Sequence, residues 1–202
     1  MEIKFGNIIL RDMVESDIGD DIRWNTVETQ WALWDAPWEM EVELLKFNPE
    51  EYREKQRRVL RQPEDALRWA FELDTAGGVH IGSVNSYLID ENWEWIAYRD
   101  VNPGQKTYRS LGIEICDSRY WSRGLGTQAL CAFIQYYLTN GCPELCLQTW
   151  SGNIRMVKCA KRLGFVECNR ELGNRLVRGE SYDGLTFQLD LDRFHKYLKD
   201  IP

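Results

Sequence analysis

The chain has 202 residues, 44 % of them hydrophobic, and a formal net charge of −7. A chain of this size buries a sizeable core without disulfide or metal staples, and its acidity argues against general nucleic-acid binding, which needs clustered Lys and Arg against phosphate. No run approaches the ~18 apolar residues of a membrane span, and the N-terminus lacks the charged-then-apolar profile of a secretory signal, so a cytoplasmic protein with no membrane partner is expected.

Charge and tryptophan are unevenly placed. Residues 11–51 hold twelve acids against Arg11, Arg23 and Lys46, a local charge of −9, and the rest of the chain is +2. Four of the nine Trp residues, Trp24, Trp31, Trp34 and Trp38, share that segment. Acid beside aromatic surface attracts a cationic ligand through Coulomb and cation–π terms; the same pattern also suits a solvated helix face with Trp turned into the core. The six cysteines (Cys116, Cys131, Cys142, Cys146, Cys159 and Cys168) lack the paired short spacings of a zinc site, and reduced thiols and no metal are expected.

In chain order, Asn7–Arg11 reads as a first strand, and residues 17–24 as a helix opened by Ser16. Asn48-Pro49-Glu50-Glu51 is a strong helix start: a cap residue, Pro in the first turn, then acids at the positive dipole end. That helix should run to about Arg61 and stop before Pro63. Strands over 67–73 and 79–88 flank the hairpin turn Thr75-Ala76-Gly77-Gly78. Residues 89–109 read as a long excursion, and loops of that length are often functional. Ser110–Cys116 is a strand with Leu111, Ile113 and Ile115 on one face. A helix follows over 124–140, closed by Gly141. Residues 145–150 then read as a strand, 153–163 as a helix, and 165–171 and 185–191 as strands. The pattern predicts one α/β domain over residues 1–202, with a mixed sheet flanked by helices.

The chemistry concentrates at Trp121-Ser122-Arg123-Gly124-Leu125-Gly126-Thr127, between a predicted strand and a predicted helix. A strand, a glycine turn and a helix N-terminus build an anion site, because outward N–H groups and the helix dipole both favour negative charge. The stretch is neither a P-loop nor a dinucleotide fingerprint, since G-x-x-x-x-G-K-[ST] and G-x-G-x-x-G are both absent.

From Leu111 to Phe165 the chain resembles the acyl-coenzyme-A-binding core of the GNAT N-acetyltransferase superfamily. Gly124 and Gly126 match the small positions of its [Q/R]-x-x-G-x-[G/A] loop, with Trp121 where Gln or Arg is usual. Asn153-Ile154-Arg155-Met156 followed by Leu163-Gly164-Phe165 matches its N-x-x-(A/S)…(L)-G-F signature. Tyr120-Trp121, the front segment Ile9 to Asp17, and Ser181 to Leu185 (as a turn before the last strand) resemble the branch of ribosomal-protein N-terminal acetyltransferases.

The resemblance implies a GNAT fold with a splayed central strand pair, a coenzyme-binding core over about 110–165, and an acceptor side over about 12–65 and 89–109. It implies acetyl-CoA as the cofactor. The backbone from Ile113 through Ile115 to Cys116 would bond the pantetheine arm. The loop from Trp121 through Arg123, Gly124, Leu125, Gly126 and Thr127 would hold the pyrophosphate, and Asn153 the pantetheine or acyl end. Arg119 and Arg123 are either phosphate partners or solvated surface residues. Glu114 resembles the family's acidic base, and is equally readable as a substrate-positioning or structural carboxylate; Asp117 and Asp183 are lesser candidates. Many members carry a Tyr seven residues after the Asn to protonate the leaving thiolate. Ala160 stands there, beside Cys159, and Tyr182 is a weak substitute.

The expected activity is direct acetyl transfer to a primary amine, either a protein N-terminus or a small cationic amine such as an aminoglycoside or polyamine; a degenerate domain that binds coenzyme A without turnover is the other reading. Trp34, Asp35 and Trp38 fall where the family places its variable acceptor-binding helices, Trp69 and Trp150 are read as strand core, and Trp93 and Trp95 lie in the excursion. Exposed Trp favours self-association, which makes a homodimer one expected state.

Overall fold

The computed structural model describes residues 1–60 and 66–200. Among them are six α-helices and nine strands: β1 (Glu2–Phe5), β2 (Ile8–Arg11), α1 (Asp17–Thr26), α2 (Pro37–Lys46), α3 (Pro49–Val59), β3 (Ala70–Thr75), β4 (His80–Ile89), β5 (Trp95–Ile96), β6 (Tyr108–Ile115), α4 (Leu125–Thr139), β7 (Leu145–Trp150), α5 (Ile154–Arg162), β8 (Phe165–Val177), β9 (Glu180–Leu189) and α6 (Leu191–Asp200). The strands form a mixed, open sheet ordered β1-β2-β3-β4-β6-β7-β9-β8, with β5 on β4. No helix among the described residues is long and apolar enough to cross a membrane.

The chain divides into two compact units, Met1–Val84 with Ile113–Phe133, and Asn85–Gly112 with Ile134–Pro202. In the first, β1 and β2 form a hairpin that turns at Gly6 (φ +55°), and β2 pairs antiparallel with β3 through Leu10↔Leu73. Its core holds Ile8, Leu10, Ile18, Phe71, Leu73 and Ile81, with Phe71 edge-on to Phe133 at 5.9 Å. A second cluster gathers Trp24, Trp31, Ala32 and Cys116, with Met40, Leu44 and Trp121 packed against it.

The two early helices start differently. Asn48 caps α3 as expected, its side-chain oxygen accepting from Glu50 N–H at 3.0 Å and Glu51 N–H at 3.4 Å. The expected end near Arg61 and the stop before Pro63 lie outside the described residues. Ser16 makes no cap bond to α1; the Asp17 carboxylate accepts from Val14 N–H at 2.7 Å instead. Ser16 sits in the right-handed helical region (φ −65°, ψ −28°), whereas a capping residue needs a non-helical backbone to turn its side chain onto the first helical N–H groups; the Val14 N–H that Asp17 accepts lies before the helix.

In the second unit, β7 pairs antiparallel with β9 through Leu147↔Phe187 and parallel with β6 at Arg109↔Leu145 and Ser110↔Cys146. β8 and β9 form a long hairpin turning at Arg178 (φ +51°) and Gly179 (φ +84°). The segment Ser181 to Leu185 therefore lies inside β9 and is not a turn, because Arg175↔Tyr182 and Leu176↔Ser181 already pair there. The last strand ends at Leu189, not Leu191, and Asp190 starts α6 by accepting from Arg193 N–H at 3.0 Å. The excursion at 89–109 carries β5 and packs Trp93 on Tyr108 at 5.0 Å, with Trp93 C=O accepting from Gln148 Nε2 at 2.8 Å. Trp150 is buried, whereas Trp69 precedes β3 and is half-buried.

Candidate active site

The glycine loop is built as an anion cradle. Ser122 (φ +59°) and Gly124 (φ +78°) turn the chain through the left-handed region, and α4 begins at Leu125. The helical ladder starts with Gln128 N–H donating to Gly124 C=O at 3.2 Å, so the N–H groups before it point out of the helix end. A β-carbon at Gly124 would meet nothing within 4 Å, leaving the approach open. A β-carbon at Gly126 would make ordinary contact, 3.6 Å, with the Ile113 and Ile115 side chains, so α4 packs on β6 there without a steric demand for glycine. Arg123 is exposed, with its guanidinium 5.3 Å from the Tyr120 ring. Arg119 grips Asp117 at 2.6 Å, and Asp117 caps the turn at Ser118–Tyr120. A left-handed glycine turn at a helix N-terminus, the helix dipole and an exposed guanidinium fit a diphosphate.

The end of β6 has a two-sided backbone. Cys116 N–H donates to Ile81 C=O at 2.8 Å on the β4 side. Strand alternation turns the main-chain groups of Ile113 and Ile115 to the opposite edge. One of those is engaged: Trp121 Nε1 donates to Ile115 C=O at 2.6 Å. The expectation that Ile113 to Cys116 bond a ligand through their backbone is thus narrowed, since Cys116 N–H and Ile115 C=O serve the protein itself. Trp121 bolts the loop to the strand.

Beside this strand, within the first unit, lies a cavity of about 380 Å³. Glu114 of β6 and Cys116 just beyond it line the cavity, with Gly82 and Ser83 of β4 and Glu72 of β3. Gly82 is required there: a β-carbon would sit 1.9 Å from Glu114 C=O. Trp24, Trp31, Trp69, Phe71 and Tyr52 supply the aromatic wall, and Asp21 of α1 adds a carboxylate.

The acids of this wall are held apart electrostatically. His80 donates to Glu72 at 3.0 Å and to Asp20 at 3.1 Å and lies 3.6 Å from Asp17. Burial lowers its pKa, but Glu72 and its neighbours outweigh that and push it up to about 9, so it is an imidazolium at neutral pH. Asp21, with Tyr52 Oη donating to it at 3.0 Å, is pushed up to about 7 by burial and by nearby Glu72. Asp21, Glu72 and His80 bring possible metal-ligand atoms within 4.8 Å of one another, but both His80 nitrogens already face carboxylates.

The indoles of the lining are Trp24, Trp31 and Trp69; Trp34, Asp35 and Trp38 lie outside it, as do all residues of 89–109. Trp38 Nε1 donates to Glu39 at 2.9 Å, and Asp35 is exposed. Asn153, in the second unit, caps α5 by accepting from Met156 N–H at 3.1 Å. Asp183 holds Arg170 at 2.5 Å and Gly173 N–H at 3.0 Å within the β8–β9 hairpin. Asp21, Tyr52, Glu72 and His80 were not singled out by sequence; only the acidic density of 11–51 pointed toward the first.

The description "Acetyltransferase (GNAT) domain" matches residues 7–166. The chain belongs to the GNAT acetyltransferase family. Solved GNAT structures share its fold. RimL, a ribosomal L7/L12 alpha-N-protein acetyltransferase in complex with coenzyme A, superposes with a TM-score of 0.65 at 16 % identity, over 93 % of this chain and 97 % of that one. A spermidine N-acetyltransferase SpeG chimera from Vibrio cholerae and hSSAT gives 0.63 at 17 %, over 96 % and 99 %. The ribosomal-protein-S5-alanine acetyltransferase from Vibrio fischeri gives 0.64 at 14 %, over 93 % and 95 %. No curated protein matches.

Two departures from the GNAT pattern have structural expression. Trp121 replaces the usual polar residue with an indole whose N–H reaches Ile115 C=O and whose ring packs against the cluster of Trp24 and Trp31. Ala160, in place of Tyr, is fully buried in α5. Tyr182 is no evident replacement, since its hydroxyl donates to Glu180 at 2.7 Å and its ring lies edge-on to Trp150.

Proposed function

We propose that this protein is an acetyl-CoA-dependent N-acetyltransferase that moves an acetyl group directly to a primary amine bound in the acidic, aromatic cavity. The observation that carries the reading is the position of Glu114: it lines the cavity from the strand whose continuation forms the glycine loop. Acetyl-CoA, when bound, supplies the acetyl thioester. The end of α4 from Leu125 through Gly126 to Thr127, with the Arg123 guanidinium, would hold its diphosphate, and the outward backbone of Ile113 and the Ile115 N–H would orient the pantetheine arm. Glu114 takes the proton from the amine, which must be neutral to attack. With no Tyr at position 160, water protonates the departing thiolate.

A small cationic amine fits the cavity's volume and charge better than a folded protein terminus does. The test is thiol release from acetyl-CoA over a panel of small amines and short peptides, with the Glu114→Gln variant beside the native chain. Release with small amines, lost in the variant while coenzyme binding persists, supports the reading. Coenzyme binding without release on any amine would make this a domain that binds coenzyme A without turnover; no saturable acetyl-CoA binding at all would sink both.

A further inference from the structure

Asp12, Asp21 and Glu72 line the cavity, Asp17 and Asp20 share α1 with Asp21, and these five acids differ in their partners. Asp12 sits on Arg68 at 2.8 Å, Asp17 on Arg11 at 2.6 Å, Asp20 on Arg23 at 2.8 Å and Glu72 on His80 at 3.0 Å. Asp21 forms no ion pair among the described residues; its carboxylate partner is the Tyr52 phenol. His80 lies nearby but already faces Glu72, Asp20 and Asp17, and one imidazolium does not neutralise a fourth acid. Asp21 is 9 % exposed and lines a cavity walled by indole rings. A buried carboxylate without a cation is costly, and aromatic faces stabilise a cation placed against them.

We infer that Asp21 is the docking point for an ammonium group of the acceptor, a compact alkylammonium whose apolar stem lies along Trp24, Trp31 and Trp69. This rests on the cavity being the acceptor site. A cation favours the ionised carboxylate, so binding releases the Asp21 proton and tightens as pH rises from 6 to 8. The groups facing Asp21 are Asp17 on its own helix, Tyr52 of α3, Glu72 of β3, His80 of β4, and Glu114 and Cys116 across the cavity. Across that interval His80 stays cationic, while burial and the neighbouring Asp21 hold the Tyr52 phenol up and neutral.

Calorimetry on the full chain with 1-aminopentane, 1,5-diaminopentane and 1-pentanol, at pH 6 and 8, tests this. Both amines stay charged throughout, so the expected rise in amine affinity, about tenfold, belongs to the protein. Asp21→Asn should cut amine affinity at pH 8 by at least about tenfold and flatten the pH profile, leaving pentanol unchanged. Tyr52→Phe keeps the carboxylate but removes a hydrogen bond to its ionised form, so the midpoint should move to higher pH, which a merely structural role would not do. Equal binding of the two amines assigns the docked group to the reacting amine; tight binding of the diamine alone assigns it to a second cation. Amines binding no tighter than pentanol, or an Asp21→Asn profile like the native one, overturns the inference. Acetyl-CoA titrated separately keeps the two readings apart: loss of coenzyme binding with amine docking intact would remove the acetyltransferase reading and leave this site standing.

Discussion

The glycine loop and the aromatic cavity meet at the same strand, yet they are made of different material. The loop works through backbone: left-handed turns at Ser122 and Gly124, a helix end, and the main-chain edge of Ile113 and Ile115. The cavity works through side chains drawn from α1, α3, β3, β4 and β6, set into fixed charge states by their neighbours. A backbone cradle suits a ligand portion that never varies, because every residue except proline presents the same N–H. A side-chain cavity can be retuned one residue at a time, which suits the variable partner of a reaction.

That contrast is open to direct tests. Glu114→Gln should give the largest effect, a fall in turnover of roughly 10²–10⁴-fold if its carboxylate takes the amine proton, with coenzyme affinity unchanged by calorimetry. Gly124→Glu adds left-handed strain of about 1–2 kcal/mol and a carboxylate at the helix N-terminus. Coenzyme binding should weaken at least about 100-fold. Amine docking should persist, and the left-handed strain should lower the melting temperature by roughly 2–8 °C although the space around Gly124 is open.

The cavity's charge states give smaller effects, read as stability against pH. Asp21 has a pKa raised above its unfolded value of 3.8, so its contribution is present below about pH 4 and is lost as pH rises through about 7. Asp21→Asn should therefore match the native protein at pH 4 and melt higher at pH 8, by at most roughly 4 kcal/mol. His80 is raised from 6.5 to about 9, so its contribution is full below 6.5 and is lost as pH rises through 9. The native melting temperature should drop between pH 7 and 10, and His80→Gln should lower it at pH 7 and flatten that drop. The smallest change is expected at Trp34→Ala and Asp35→Asn, within about twofold in acceptor KM, because both residues lie outside the cavity lining. A large rise there would mean that the acceptor reaches beyond the cavity.

The glycine-rich helix entry and several element ends were readable because their signals are local. Gly124 and Gly126, Asn48 with Pro49, Gly141 and the alternation of Leu111, Ile113 and Ile115 each report on neighbours a few residues away. Ser16 is not a cap because its backbone is already helical, a conformation that the residue type alone does not set. Ser181 to Leu185 was misread as a turn because the pairing that makes it strand comes from β8. Trp121 was visible as a departure from the family pattern, but not as a bolt onto Ile115 C=O.

By itself the sequence determined an acidic α/β chain with a glycine-rich helix entry, and a family resemblance that the match over residues 7–166 established. Backbone conformation and short-range capping follow from adjacent residue types, so one dimension suffices for them. Only the tertiary structure decided which of the twelve acids in residues 11–51 face the cavity, Asp12 paired with Arg68 and Asp21 beside Tyr52 with His80 and Glu72 close by. Burial and charge pairing depend on distances between residues tens of positions apart, and those distances exist only once the strands have paired.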